Sequence, residues 1–276
     1  MHQILELEVP LYELIAQELV EPNSSKRYLG SRGSCRYCFT SATADFGRRG
    51  NAHAFPAALG NKALFSLNEC KNCNNKFSVY EDALVKAVGP FLTLGGVAGR
   101  NGVRQTGRSN SMSKIRHSSN QSGRRLTISG AEAPDELFRK LNSSENMSLR
   151  FPITGDAFVP RYAYKALLKL AVALLPNAEV PKFRKAIESL SSIDELPYQP
   201  PLQLGFSHAY VGNAPPALAG HLLRRVDDDA SVPYVIFLFM AGSVCFQIWV
   251  KSDEDDANVP NLGKLGLRFT AQIPKP

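Results

Sequence analysis

Apolar and polar residues alternate over positions 1 to 8, which predicts a short strand or an extended arm. After Pro10 the apolar residues Leu11, Leu14, Ile15 and Leu19 recur at three- and four-residue steps. That is the spacing of one helix face, with Glu21-Pro22-Asn23 as its end. The same period returns after Asn74, where Phe77, Tyr80, Ala83, Leu84, Ala87 and Val88 predict a helix that stops at Gly89-Pro90. Leu149 to Ile153 reads as a strand, Tyr162 to Leu175 as a strongly apolar helix closed by Pro176, and Val180 to Leu190 as an amphipathic helix. Positions 203 to 212, 232 to 250 and 265 to 273 then read as strands, with acidic turns at Asp227-Asp228-Asp229 and Asp253-Glu254-Asp255-Asp256. Strands gathered after helices make this half α+β, and no internal repeat is present in the sequence.

The run from Val232 to Val250 carries no charge and is long enough to span a bilayer. Ala241-Gly242-Ser243 divides it, however, and both halves are rich in β-branched and aromatic residues. Two buried strands joined by a tight turn are therefore expected. The N-terminus lacks a basic stretch followed by an apolar core, so no secretory signal is read and the cytoplasm is the expected compartment.

Charge and cysteine usage narrow the picture. The net charge of +7 favours a polyanionic partner. Between Gly95 and Gly130 the chain holds Arg100, Arg104, Arg108, Lys114, Arg116, Arg124 and Arg125 without one acid, among many Gly, Ser and Asn residues. This predicts an arm or hairpin that contacts nucleic-acid phosphates, a basic linker being the plainer alternative. Of the five cysteines, Cys245 lies in an apolar run, while Cys35-Arg36-Tyr37-Cys38 and Cys70-Lys71-Asn72-Cys73 are CxxC pairs separated by 31 residues. Each CxxC is a knuckle that aims two sulfurs at one point, so the four predict a closed tetrahedral Zn²⁺ site, structural rather than catalytic.

Between and after the knuckles lie Asn51-Ala52-His53-Ala54-Phe55-Pro56, Gly60-Asn61, Asn74 and Phe77. With the cysteines, these residues resemble the zinc-knuckle HNH endonucleases, the ββα-metal nucleases, over about residues 30 to 95. The resemblance implies that His53 is the general base, that Asn61 supports the histidine or its loop, and that the helix after the second knuckle supplies a metal ligand. Imidazole suits the role of base because its unperturbed pKa lies near about 6.5. Asn74 and Glu81, seven residues apart, share one helix stripe and offer oxygen donors to Mg²⁺ or Mn²⁺. Asn68, Glu69, Asn75 and Asp82 are neighbouring substitutes. Many relatives have an acidic ligand directly before the base where this chain has Ala52, and a histidine where it has Asn74, so the expected metal shell is thin.

The expected architecture is thus an HNH nuclease domain with its N-terminal arm over 1–95, a basic linker or hairpin over 96–130, and an α+β accessory domain over 131–276. The expected reaction is Mg²⁺- or Mn²⁺-dependent hydrolysis of phosphodiesters in double-stranded DNA. The resemblance adds a role in bacterial restriction or anti-phage defence, and the size of the second half suggests a protein or small-ligand partner. The competing expectation is a non-catalytic zinc-ribbon adaptor that docks nucleic acid or a protein, and a third is an RNA-directed nuclease. His208 and His221 stand alone, and Tyr162, Tyr164 and Lys165 read as packing residues.

Overall fold

The computed structural model describes residues 12–41, 46, 52–99, 101–107, 113–120, 123–130, 155–192, 204–208, 217–226, 232–257 and 259. The segments expected as strands at 1–8, 149–153 and 265–273 and the acidic turn at 227–229 lie outside these residues.

Strand β1 (Tyr12–Val20) pairs antiparallel with β10 (Leu218–Arg225), so the helix predicted from Pro10 to Leu19 is a strand. Its ladder slips between Leu14 and Ala16. Such a bulge adds one residue and breaks the two-residue alternation, and Leu14 and Leu19, which supply the helical spacing, are exposed, so that spacing marks no buried face. Ile15 and Ala16 pack on the core, and Val20 is buried. β10 itself was not anticipated; its Gly220, His221, Arg224 and Arg225 dilute the strand pattern.

β11 (Val235–Ala241) and β12 (Val244–Val250) form the expected hairpin, turning at Gly242 with φ 59°. β9 (Leu204–His208) closes a five-stranded sheet of order β1-β10-β11-β12-β9. Among the described residues no helix is long and apolar enough to cross a membrane.

A smaller sheet carries the conspicuous motifs. β2 (Arg27–Leu29) lies parallel to β4 (Leu64–Ser66), and β3 (Ala52–His53) lies antiparallel to it, giving the order β2-β4-β3. A 3₁₀ turn at Ala57–Leu59 joins β3 to β4, and helix α1 (Lys71–Leu94) follows. α1 runs past Gly89-Pro90, where it was expected to stop. Pro90 removes only the bond to the Lys86 carbonyl. Thr93 Oγ1 and Thr106 Oγ1 both donate to the Gly89 carbonyl, 3.1 and 3.2 Å away, and pin the final turn.

The connection 98–130 contains two ribbons, β5 (Ala98–Gly99) with β6 (Gly102–Val103), and β7 (Lys114–Asn120) with β8 (Gly123–Ser129). Helix α2 (Pro160–Leu174) matches the predicted apolar helix and begins on Pro160, whose fixed φ and missing N–H suit the first turn. The predicted helix from Val180 to Leu190 is broken into a 3₁₀ turn, Val180–Phe183, and a short α3 (Arg184–Ser189).

α2 is buried along its whole length from Ala163 to Leu174, packed against both α1 and the five-stranded sheet. The stretches assigned to nuclease and accessory domains thereby share one hydrophobic core. Phe55, two residues after His53, meets Phe239 of β11 edge to face at 5.3 Å. A Cβ on Gly220 would stand 2.8 Å from Phe55 and 3.0 Å from Leu174. Gly220→Ala is therefore expected to lower stability by about 1–3 kcal/mol through overpacking. The readout is a lower urea midpoint at unchanged slope; an unchanged midpoint would show that the two sheets are not in close contact there.

Candidate functional site

The site is built on sulfur. Cys35, Cys38, Cys70 and Cys73 bring their Sγ atoms within 4.8 Å of one another, and Cys38 and Cys70 stand 3.7 Å apart. A tetrahedron with Zn–S bonds of about 2.3 Å has edges of about 3.8 Å, so the group fits one tetrahedral ion. The backbone favours charged sulfur, since Cys70 N–H points at Cys35 Sγ and Cys73 N–H at Cys70 Sγ, each at 3.4 Å. Arg36 N–H donates to the Asn68 carbonyl at 2.8 Å and ties the first knuckle to the approach of the second.

Four thiols this close compete for protons. The Cys73 thiol hydrogen-bonds to Cys35 and holds its pKa down at about 4 against the cost of burial. Burial pushes Cys70 up to about 11, and the bond to Cys35 raises Cys73 as well. A divalent cation removes that competition by stabilising all four thiolates.

From this staple the chain positions His53. β3 places it opposite Phe65 of β4, and its half-buried ring tilts against Phe65 at 4.9 Å. The loop that follows is fixed by Asn61, which is fully buried. Its Nδ2 donates to the Phe55 and Leu64 carbonyls, each at 2.7 Å, and its Oδ1 accepts from the N–H groups of Ala63 and Leu64 at 3.0 and 2.8 Å. Of the two expected roles for Asn61, these bonds carry out loop support and occupy both ends of its amide.

On α1, Asn74 lies half-buried in the first turn with its N–H on the Cys70 carbonyl, and Glu81 lies two turns on. Glu81 Oε1 stands 2.9 Å from the ammonium of Lys169, on α2. The same ammonium donates to the His53 carbonyl at 2.9 Å, touches the Ala54 carbonyl at 3.5 Å, and lies 3.2 Å from Glu69 Oε2. Lys169 is wholly buried and Glu69 is 5% exposed. Burial alone would lower the Lys169 pKa, but Glu69 and Glu81 reverse the effect and raise it. Burial pushes the Glu69 carboxyl up to about 7, against the pull of Lys169. Sequence reasoning named Glu69 only as a substitute ligand and missed Lys169, whose signal was a lysine, like Lys165 one turn earlier, within a strongly apolar stretch of helix.

The expected catalytic ion does not fit the donors named for it. A divalent cation about 4 Å from an ammonium meets about 8 kcal/mol of repulsion at an effective dielectric of about 20, which offsets about half the attraction of one coordinating carboxylate oxygen at about 2.1 Å. With Ala52 in β3 and Glu81 held by Lys169, Asn74 is left, and one amide oxygen is far short of the six that Mg²⁺ takes. Of the substitutes, Asp82 pairs with Lys86 at 2.5 Å, Asn75 is exposed, and Asn68 accepts from Ser66 Oγ at 2.9 Å.

The basic residues separate into groups. Arg104 forms an ion pair with Asp156. Opposed residues share a face, so the pairings Lys114↔Ser129, Arg116↔Thr127 and Ser118↔Arg125 put Lys114, Arg116 and Arg125 on one side of the β7–β8 ribbon. Arg124 belongs to the other side by register, while Arg100, Arg108 and the Arg124 side chain lie outside the described residues. Of the lone histidines, His208 ends β9, and half-buried His221 on β10 has its pKa lowered by burial.

Asn61→Ala removes four hydrogen bonds and orphans three buried backbone groups, the Phe55 carbonyl and the N–H groups of Ala63 and Leu64, since the Leu64 carbonyl keeps the Ala54 N–H at 3.1 Å; it is expected to cost about 3 kcal/mol or more, read from denaturant unfolding. Stripping the bound ion with a strong chelator under reducing conditions is expected to release about one zinc per chain and abolish the cooperative thermal transition. An unchanged melting temperature with all four thiols open to a thiol reagent would contradict the staple. In comparisons with protein-family models, curated proteins and solved structures, nothing matches this chain.

Proposed function

We propose that this protein is an HNH-type nuclease that hydrolyses phosphodiester bonds in DNA, with zinc at the four cysteines as a structural ion. The observation that carries the reading is the meeting at Lys169: the His53 end of β3 and Glu81 of α1 contact one ammonium, on a hairpin and helix joined by the cysteine cluster. Strand end and helix are the two places from which such chemistry draws its base and its polar partners.

In this reading His53, half-exposed at the edge of the small sheet, takes the proton from the attacking water. Asn61 fixes the loop behind it, and Lys169 fixes the strand end through its carbonyl. Lys114, Arg116 and Arg125 hold the phosphate backbone, contacts that position a duplex without reading its sequence. No step is assigned to Mg²⁺ or Mn²⁺, because Glu81, a donor expected for it, is already paired. A place in bacterial restriction or anti-phage defence belongs to the same proposal.

That pairing, with Ala52 before the base, also favours a second reading, a non-catalytic adaptor that binds DNA through the ribbon. Supercoiled plasmid incubated with the parent protein and with His53→Ala, in Mg²⁺, in Mn²⁺ and in chelator, separates the two. The nuclease reading expects nicking or linearisation by the parent and a loss of about 100-fold or more in the variant. Intact plasmid with salt-sensitive binding by both proteins selects the adaptor. Faster cleavage of single-stranded RNA than of plasmid would reassign the substrate.

A further inference from the structure

The oxygens around Lys169 are the kind that bind a hard cation. Two carboxylates, from Glu69 and Glu81, and the carbonyls of His53 and Ala54 converge within 3.5 Å of one point, and the point is occupied by Nζ of Lys169. The set spans three segments: the end of β3, the residue before the second knuckle, and the third turn of α1. Oxygen donors drawn from separate segments are what a Mg²⁺ or Mn²⁺ site consists of. An ammonium differs in reach and charge, since it is tethered to α2, cannot leave, and carries one positive charge. Among the described residues neither carboxylate oxygen of Glu69 meets good hydrogen-bond geometry, and Oε2 has the Lys169 ammonium at 3.2 Å as its ion-pair partner. Charge, more than hydrogen-bond geometry, therefore holds Glu69 in place.

We infer that Lys169 is an internal counter-ion standing where this cage of oxygens would otherwise take a divalent cation. Glu69, Glu81 and the His53 strand end are thereby held together with no ion bound among them. Lys169 is a positioning residue, because it is wholly buried and cannot reach a substrate phosphate. The inference rests on the cage and its occupant, and it stands whether or not His53 cuts DNA.

The test is Mn²⁺ titration of the zinc-loaded protein, followed by calorimetry and by paramagnetic broadening of amide signals. Mn²⁺ is the weakest binder of its series and does not displace zinc from thiolates. The parent protein and Glu81→Gln are expected to be alike, with no saturable Mn²⁺ site that broadens His53, Ala54 and Glu69. Lys169→Met is expected to gain such a site, with those three amides and that of Glu81 broadened first. Lys169→Arg, which keeps the cation, is expected to behave as the parent does. A parent site that loses tenfold or more of its Mn²⁺ affinity in Glu81→Gln would overturn the inference, because Glu81 would then be a true metal ligand. So would a folded Lys169→Met that binds no Mn²⁺. Should Lys169→Met fail to fold with two carboxylates uncompensated, the charge-reduced Glu69→Gln/Lys169→Met variant takes its place. That variant is expected to recover the fold and to bind Mn²⁺ through Glu81 and the two carbonyls, and a folded double variant without Mn²⁺ affinity counts against the inference. The parent and Glu81→Gln comparison decides independently of both. Plasmid cleavage is a separate readout, so loss of the nuclease reading leaves these outcomes intact.

Discussion

An ammonium removed completely from water must be surrounded by oxygen, and satisfying Lys169 constrains much of this structure. Leaving one partner of a buried ion pair alone costs about 3–5 kcal/mol, a large share of a domain's whole stability. The four oxygens near Nζ come from β3, from the residue ahead of the second knuckle and from α1, so that penalty opposes separation of any of the three from α2. The Lys169 carbonyl accepts from the Tyr37 hydroxyl at 3.2 Å, which adds the first knuckle to the same residue. One turn earlier, Lys165 is buried in a similar way. Its Nζ meets the Ser189 carbonyl at 2.7 Å and also that of Ser192, so it caps the end of α3 where carbonyls lack helical partners. Two lysines on one apolar helix thus attach it to different neighbours by charge, where apolar contacts alone would let the helix slide.

The cysteine cluster and α2 support each other. The small three-stranded sheet has strands of two or three residues, too little to stand alone, and its knuckles bring four cysteines close enough to hold one metal ion, a staple of the kind small modules use. Arg36, inside the first CxxC, donates to the Val172 carbonyl at 3.0 Å and to that of Leu175, at the C-terminal end of α2. A knuckle residue therefore caps the helix that neutralises the His53 region. Ordering the cysteines orders Arg36, which fixes α2, which delivers Lys169. The packing of Phe55 on Phe239 completes the circuit through the large sheet.

Elements whose signal is local were legible in the chain. The two CxxC pairs announce convergence because each needs only its own turn, and the 232–250 hairpin announces itself because both halves are uncharged and mostly buried and the turn falls on a glycine with φ 59°. The α1 stripe that holds Asn74 and Glu81 follows from helical period alone. What stayed hidden depends on partners distant in sequence. β1 shows a false helical period because its exposed Leu14 and Leu19 complete a three- and four-residue spacing, and β10 carries charges that its neighbours compensate: Arg224 with Glu13 and Glu179, Arg225 with the Val232 carbonyl. The engagement of Glu81 was equally unreadable, since Lys169 lies 88 residues away and its burial is a property of the packed helix. The same holds for Asn61, whose four bonds become visible only once the loop closes.

The placement of positive charge finally separates holding from binding. A net charge of +7 suggests a surface ready for polyanions, yet several cations are spent inside or in pairs: Lys165 and Lys169 on α2, Arg36 at its end, Arg104 on Asp156, and Arg224 on two glutamates. Among the described residues the β7–β8 ribbon is one place where cations line up on a single face. On one of its faces Lys114, Arg116 and Arg125 occupy successive rows about 7 Å apart, at two residues of rise per row, with Ser118, Thr127 and Ser129 beside them. Arg116 Nε is steadied by Gln105 Oε1 at 3.0 Å, and no acid lies on either strand. Evenly spaced cations among hydroxyls match a repeating phosphate chain and offer no pattern of donors and acceptors with which to tell one base from another. In the proposed reading, in which this face holds a phosphate backbone, selectivity has to come from outside the ribbon.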